Sequence, residues 1–215
     1  MKKTHVALAL FGAVSIAGAA SAEDFQGKHA GLFMLQTRIT DVSPDAGDSI
    51  NTAAGAATGL KAEVKADVVP TVGLVYFFTD HIAGELILGT SKHEIKAVGG
   101  TTNVKVHDTW VLPPVAAVQY HFAPAAKVSP YVGAGLNYML FYGGKDYNGF
   151  KVKVKDGVGY ALQAGVDVAT QDRWSLNLDV KKVYFNTKAN INAGTLNSKV
   201  NLDPWVVSAG VGYKF

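Results

Sequence analysis

The 215-residue chain has no cysteine, which excludes disulfide staples, thiol chemistry and cysteine-based zinc sites. It has two arginines, Arg38 and Arg173, and no block of basic residues, so the electrostatic footprint of a nucleic-acid binder is missing. Past the N-terminus, His29, His81, His93, His107 and His121 are scattered without a helical i,i+4 pair, and Gly-x-Ser-x-Gly is absent. Nothing here points to an enzyme, a metal or a cofactor. Long apolar runs are also missing after Ala20, although 48% of residues are hydrophobic. No helix beyond that point is therefore built to cross a bilayer.

The one apolar run, Val6 to Ala20, follows Lys2 and Lys3 and ends in Ala20-Ser21-Ala22. A basic start, a short apolar core and small residues at a cut site describe a secretory signal peptide. Residues 1–22 are expected to be removed, leaving a mature chain of residues 23–215. Without Lys2 and Lys3, the 20 basic residues fall to one more than the 17 acidic ones, so the mature chain is nearly neutral.

What the mature chain has instead is alternation. In Trp174-Ser-Leu-Asn-Leu-Asp-Val180 every second residue is apolar, and Val132, Ala134, Leu136, Tyr138, Leu140 and Tyr142 form the longest stripe. Successive side chains of a strand point to opposite faces, so each such segment has one greasy face. Eight segments are predicted, at 28–41, 65–78, 82–95, 104–122, 129–142, 154–169, 174–190 and 200–215. Three connections are short: Thr79-Asp80-His81, Ala123 to Val128 and Thr170 to Arg173. Four are longer and polar: Ser43 to Val64, Lys96 to Asn103, Gly143 to Lys153 and Ile191 to Lys199.

An even number of antiparallel strands, with short turns at one end and long loops at the other, is the layout of an outer-membrane barrel. The predicted fold is all-β, an eight-stranded antiparallel up-and-down transmembrane β-barrel. Outer-membrane lipid is its expected surroundings, and both mature termini fall at the short-turn, periplasmic end. Tyr76, Phe77, Phe78, Tyr120, Phe122, Tyr131, Trp174, Tyr213 and Phe215 crowd that end, as an aromatic girdle at a water–lipid boundary would.

Leu202-Asp-Pro-Trp-Val-Val-Ser-Ala-Gly-Val-Gly-Tyr-Lys-Phe215, Leu112-Pro113-Pro114, Pro130-Tyr-Val-Gly-Ala-Gly-Leu-Asn-Tyr138 and Gln163-Ala-Gly-Val-Asp167 resemble stretches of the OmpW family of outer-membrane proteins. The match spans nearly the whole mature chain. The resemblance implies an eight-stranded barrel associated with passage of small hydrophobic molecules, AlkL-type importers among them. It also implies that Phe215 is the terminal aromatic read by the barrel-assembly machinery.

The phase of the strands follows from the last one. With Phe215 and Tyr213 facing lipid, so do Val211, Ala209, Val207 and Trp205, while Leu202, Pro204, Val206 and Ser208 face the lumen. The same parity predicts a polar, ion-paired floor of Arg38, Glu85, Asp167, Asp179 and Lys181 towards the periplasmic end. Above it an apolar pocket is expected, lined by Met34, Val75, Ile87, Val115, Met139, Phe141, Phe185 and Leu202. Porin lumens are polar, so an apolar one suits an apolar solute, although side chains also simply fill small barrels. Pro113 and Pro114 lie mid-strand, where proline supplies no ladder N–H. They predict either a bulge that bends the strand or a lateral exit into lipid, which the family resemblance also implies. The competing reading of the whole is a structural or surface-interaction barrel, a receptor or adhesin acting through its loops. A soluble lipocalin-like barrel is disfavoured by the apolar outer stripe.

Overall fold

Alternating runs fold as pleated strands with unlike faces, and they do so throughout the computed structural model, which describes residues 25–45 and 47–215. The expected signal segment, 1–22, lies outside those residues. The described chain crosses the barrel eight times, and seven of the crossings are broken once. The first is β1 (Phe33–Ser43) with β2 (Ser49–Thr52), and the second β3 (Ala57–Val64) with β4 (Asp67–Phe77). The third is β5 (Ile82–Gly89) with β6 (Ser91–Gly99), and the fourth β7 (Thr102–Leu112) with β8 (Val115–His121). The fifth is the unbroken β9 (Val128–Asp146), followed by β10 (Val152–Val154) with β11 (Gly157–Ala169). The last two are β12 (Trp174–Tyr184) with β13 (Asn186–Ile191), and β14 (Leu196–Asn201) with β15 (Trp205–Lys214).

In the half nearer the short turns, antiparallel ladders run β1–β4–β5–β8–β9–β11–β12–β15 and return from β15 to β1. This ring has no edge, so no backbone N–H or C=O is left facing hydrocarbon along it. The other half is a second ladder set, β10–β13–β14–β2–β3–β6–β7–β9. It is not closed by a ladder between β9 and β10. Instead Asp156 accepts from the Phe141 N–H at 2.8 Å and Asp146 from the Val152 N–H at 3.0 Å. Four of the seven prolines, Pro44, Pro113, Pro114 and Pro204, sit in the breaks between the halves, because a residue without an N–H cannot continue a ladder.

The connections expected as long loops are mostly strand. β2 and β3 lie inside them, and β6, β7, β9, β10, β13 and β14 overlap them. Their outward faces are Lys, Asn and Thr, and several inward positions are small, so hydrophobic alternation is faint there. The inward stripe is nevertheless a core, with Ile50, Ala62, Ala97, Val106, Ile191 and Val200 all buried.

Outside, the closed ring carries an exposed apolar belt that includes Ile39, Leu86, Leu136, Leu162 and Leu178. Rings cluster at its turn end: Phe33 with Tyr76 and Phe215, Tyr120 with Phe122, and Trp174 with Tyr213. Phe77 and Tyr131, expected in that girdle, have inward parity and are buried inside the barrel instead. A second girdle, not foreseen from the sequence, bounds the far side, where Trp110 stacks with Tyr142 and Tyr160 with Tyr184. Trp174 and Tyr184 end the same 11-residue strand, about the length a tilted strand needs to cross hydrocarbon. Beyond the second girdle the outer face turns charged. There Lys65 and Lys105, at 2.6 and 3.1 Å, hold the Glu94 carboxyl down to about 2.

Candidate functional site

The lumen of the closed ring is crossed by an ion-paired layer. Arg38 meets Glu85 at 2.7 Å and donates through Nε to Asn177 at 2.7 Å. Lys181 pairs with Asp179 and lies 3.7 Å from Glu85. Tyr131 donates to Asp179 at 2.8 Å, and Gln163 donates to Glu85 at 3.0 Å. Each buried ion costs several kcal/mol unless it is paired and hydrogen-bonded, and these meet both conditions. A glycine makes room for the layer: a Cβ at Gly165 would fall 2.4 Å from the Tyr131 ring, so only a hydrogen there lets the phenol reach Asp179.

All five expected floor residues are in this layer, but Asp167 pairs with a residue the sequence did not flag. Lys28, on the segment before β1, reaches Asp167 at 2.6 Å, His121 at 2.9 Å and Ser129 at 3.0 Å. The Lys28 N–H donates to the Pro124 carbonyl, and Gln26 is tied to Asp172 and Lys214. The N-terminal segment thus folds across the turn end and drops a cation into it. Three cations, Lys28, Arg38 and Lys181, thereby balance three anions, Glu85, Asp167 and Asp179.

Two of the eight residues expected in the upper pocket are elsewhere. Met34 and Val75 pack with Leu32, Phe77 and Ala83 in a separate cluster on the turn side of the ionic layer. Met34 precedes Arg38 by one turn-ward step of the inward stripe beyond Gln36, and Val75 is its register partner on β4. Hence the floor is not the bottom of the lumen; an apolar plug lies beneath it.

The other six come together, but Phe185 belongs to the cluster without lining the cavity beside it. Val115, Met139 and Phe185 form a buried cluster with Val111, Ala117, Ala161 and Val183, against which Ile87, Phe141 and Leu202 pack. A cavity runs beside this cluster in two stacked parts, which share Val42, Ser91, Pro113, Met139 and Pro204 as walls. The part farther from the turns is lined by Ile50, Val106, Val111, Phe141, Leu202 and their neighbours. The nearer part ends on the hydroxyls of Thr40, Thr71 and Ser208, joined at 2.7 and 2.9 Å, with Arg38 and Lys181 beneath. Most of the lining is apolar with a few placed polar groups, the usual make-up of a small-molecule site.

Pro113 lines both parts of that cavity, and Pro114 follows it in the break between β7 and β8. The β5–β8 ladder ends at Ile87↔Val115 and the β6–β7 ladder begins at Ser91↔Val111. Leu88, Gly89 and Thr90 therefore face Leu112, Pro113 and Pro114 without ladder pairs. On the β9 side, Tyr138 donates its N–H to Pro114 at 3.1 Å. The Asn137 amide reaches the carbonyls of both prolines at 3.3 Å. Asn137 shares the inward parity of Met139 and Phe141, so the stripe that located those two also contains it. The interruption lies level with exposed Leu88 and Tyr138, within the apolar belt.

The family model described as the OmpW family matches residues 29–215. An uncharacterized outer-membrane protein y4mB of Sinorhizobium fredii is 41% identical, with 88% of this chain and 83% of that protein aligned. Outer membrane protein W of Vibrio cholerae is 32% identical over the full length of both. Among solved structures, outer membrane protein OprG of Pseudomonas aeruginosa superposes with a TM-score of 0.83 at 30% identity, covering 89% of this chain and 99% of that one.

Proposed function

The chain belongs to the OmpW family of outer-membrane proteins, and from that premise we propose that it passes small hydrophobic molecules through its apolar chamber and out sideways into lipid. The observation that carries this reading is the stacking of an apolar cavity on a fully ion-paired layer. An apolar solute entering from the hairpin end meets three buried ion pairs below it, and burying polar groups without partners costs about 1–3 kcal/mol each. At Pro113 and Pro114 the ladder is interrupted within the apolar belt, so the wall there has fewer backbone bonds to break than the ladders on either side of the gap. Lateral release there keeps the solute in apolar surroundings throughout.

In this reading the short turns and both mature termini face the periplasm. Phe215 serves as the assembly signal: its side chain joins the outer girdle beside Phe33 and Tyr213, and its N–H donates to the Phe33 carbonyl at 2.8 Å. Cells making the protein are expected to take up 1-octanol faster than cells lacking it. Deleting Phe215 lowers the surface level and the uptake in proportion. Equal uptake with and without the protein at the surface would leave only the surface-interaction reading standing.

A further inference from the structure

Asn137 is 1% exposed and borders the lower part of the chamber beside Pro113, Val115 and Met139. Its Nδ2 donates to the carbonyls of Pro113 and Pro114, while its Oδ1 is buried with no hydrogen-bond partner. The orientation is fixed by that network, since the flipped amide would turn Oδ1 onto two carbonyl oxygens that can only accept. A buried acceptor left unpaired costs free energy, and one next to a cavity is a place for a ligand donor.

A second acceptor lies on the same wall. Ser91, 2% exposed, lines both parts of the cavity next to Pro113. His93 Nδ1 lies 2.7 Å from the Lys65 carbonyl and its Nε2 lies 2.8 Å from Ser91 Oγ. A carbonyl only accepts, so Nδ1 carries the proton, Nε2 accepts from Ser91, and the Ser91 hydroxyl keeps only lone pairs to offer. The prolines have no N–H at all. Asn137 Oδ1 and Ser91 Oγ therefore both offer acceptor lone pairs beside Pro113, where the Asn137 Nδ2 and the Thr90 hydroxyl are already committed to backbone carbonyls.

We infer that the chamber selects apolar molecules bearing one hydrogen-bond donor at an end, such as primary alcohols or undissociated fatty acids, with the donor bound to Asn137 Oδ1. This rests on the chamber being a solute site and names the class of solute. Plain hydrocarbons, and molecules with acceptors only, leave Oδ1 unpaired. A site built around a buried polar group discriminates strongly against ligands that fail to pair it.

The test uses the mature protein in lipid nanodiscs with a labelled Met139 methyl group, titrated with 1-octanol, heptyl methyl ether and nonane at matched mole fraction in the lipid. The Met139 signal is expected to move with all three, and 1-octanol to bind about tenfold more tightly than the other two. In Asn137→Leu this preference collapses while nonane binding persists. Equal affinities in the wild type would overturn the donor selection and leave the chamber reading intact, and so discard only this inference. A preference that survives in Asn137→Leu would remove Asn137 from the role. If none of the three moves the Met139 signal, the chamber itself is not a solute site and both readings fall. The wild-type comparison needs no variant, so it decides the matter even where Asn137→Leu fails to assemble.

Discussion

Replacing Arg38 with methionine is expected to destabilise the barrel by about 3–5 kcal/mol, because it strands a buried carboxylate. Arg38 and Glu85 are 1% and 3% exposed, and after the substitution only Lys181, at 3.7 Å, and Gln163 face the Glu85 oxygens. Asn177 also loses the guanidinium that it accepts from. Adding Glu85→Met to the same chain removes the stranded charge along with its partner and keeps the layer neutral. The double variant is therefore expected to recover most of the loss, since buried ion pairs exchange for apolar side chains of similar volume at little net cost. Urea unfolding from lipid vesicles gives the three midpoints. A wild-type midpoint for Arg38→Met would show that the layer is hydrated and its ions unburied, and the floor would then be no barrier to a polar solute.

The second large effect is expected in transport. Val at both Pro113 and Pro114 returns two N–H groups, which alternate along a strand, one towards Leu88, Gly89 and Thr90 and one towards β9, whose Tyr138 already bonds the Pro114 carbonyl, and it raises strand propensity. Each restored bond is worth about 1 kcal/mol net. Freeing this segment from both of its neighbours then costs about 2 kcal/mol more, which corresponds to a fall in release of more than tenfold. Uptake of 1-octanol should drop by about that factor at an unchanged surface level, while the unfolding midpoint rises. If the proline pair only bends the strand, the signs reverse: the midpoint falls, and uptake follows the amount of folded protein. Unchanged uptake at equal surface level would rule out a proline-dependent exit.

Much of this arrangement is legible in the sequence because a strand's period of two leaves one free choice, its phase. Fixing Phe215 outward sets Trp205, Val207 and Val211 on lipid and Pro204 and Ser208 in the lumen, and the same parity places Arg38, Glu85, Asp179 and Lys181 together. Parity has no information about height, however, and that is where the reading failed. Met34 and Val75 have the right phase but lie on the turn side of the ionic layer: Met34 is nearer the turn end than Arg38 on the same strand, and Val75 is its register partner. Lys28 was missed although the predicted first segment began at it: the observed strand starts only at Phe33, and the fold-back of the preceding residues onto Pro124 and Asp172 is what carries Lys28 into the turn end. The outer hairpins were missed because Ala62, Ala97 and Ala189 are weak hydrophobic signals beside Lys and Asn. Ladder pairing with neighbouring strands, rather than local pattern, makes them strand.

Occupancy of the chamber is the central claim, and intermolecular nuclear Overhauser contacts test it most directly. With protonated 1-octanol, deuterated lipid and methyl-labelled protein in nanodiscs, inward and outward methyl groups are read in one spectrum. Contacts from the octyl chain to Met139, Val115 and Ile87, stronger than those to the lipid-facing Leu176, Leu178 and Val211, are the predicted result. Contacts confined to Leu176, Leu178 and Val211 would place the solute only in the bilayer and contradict the account.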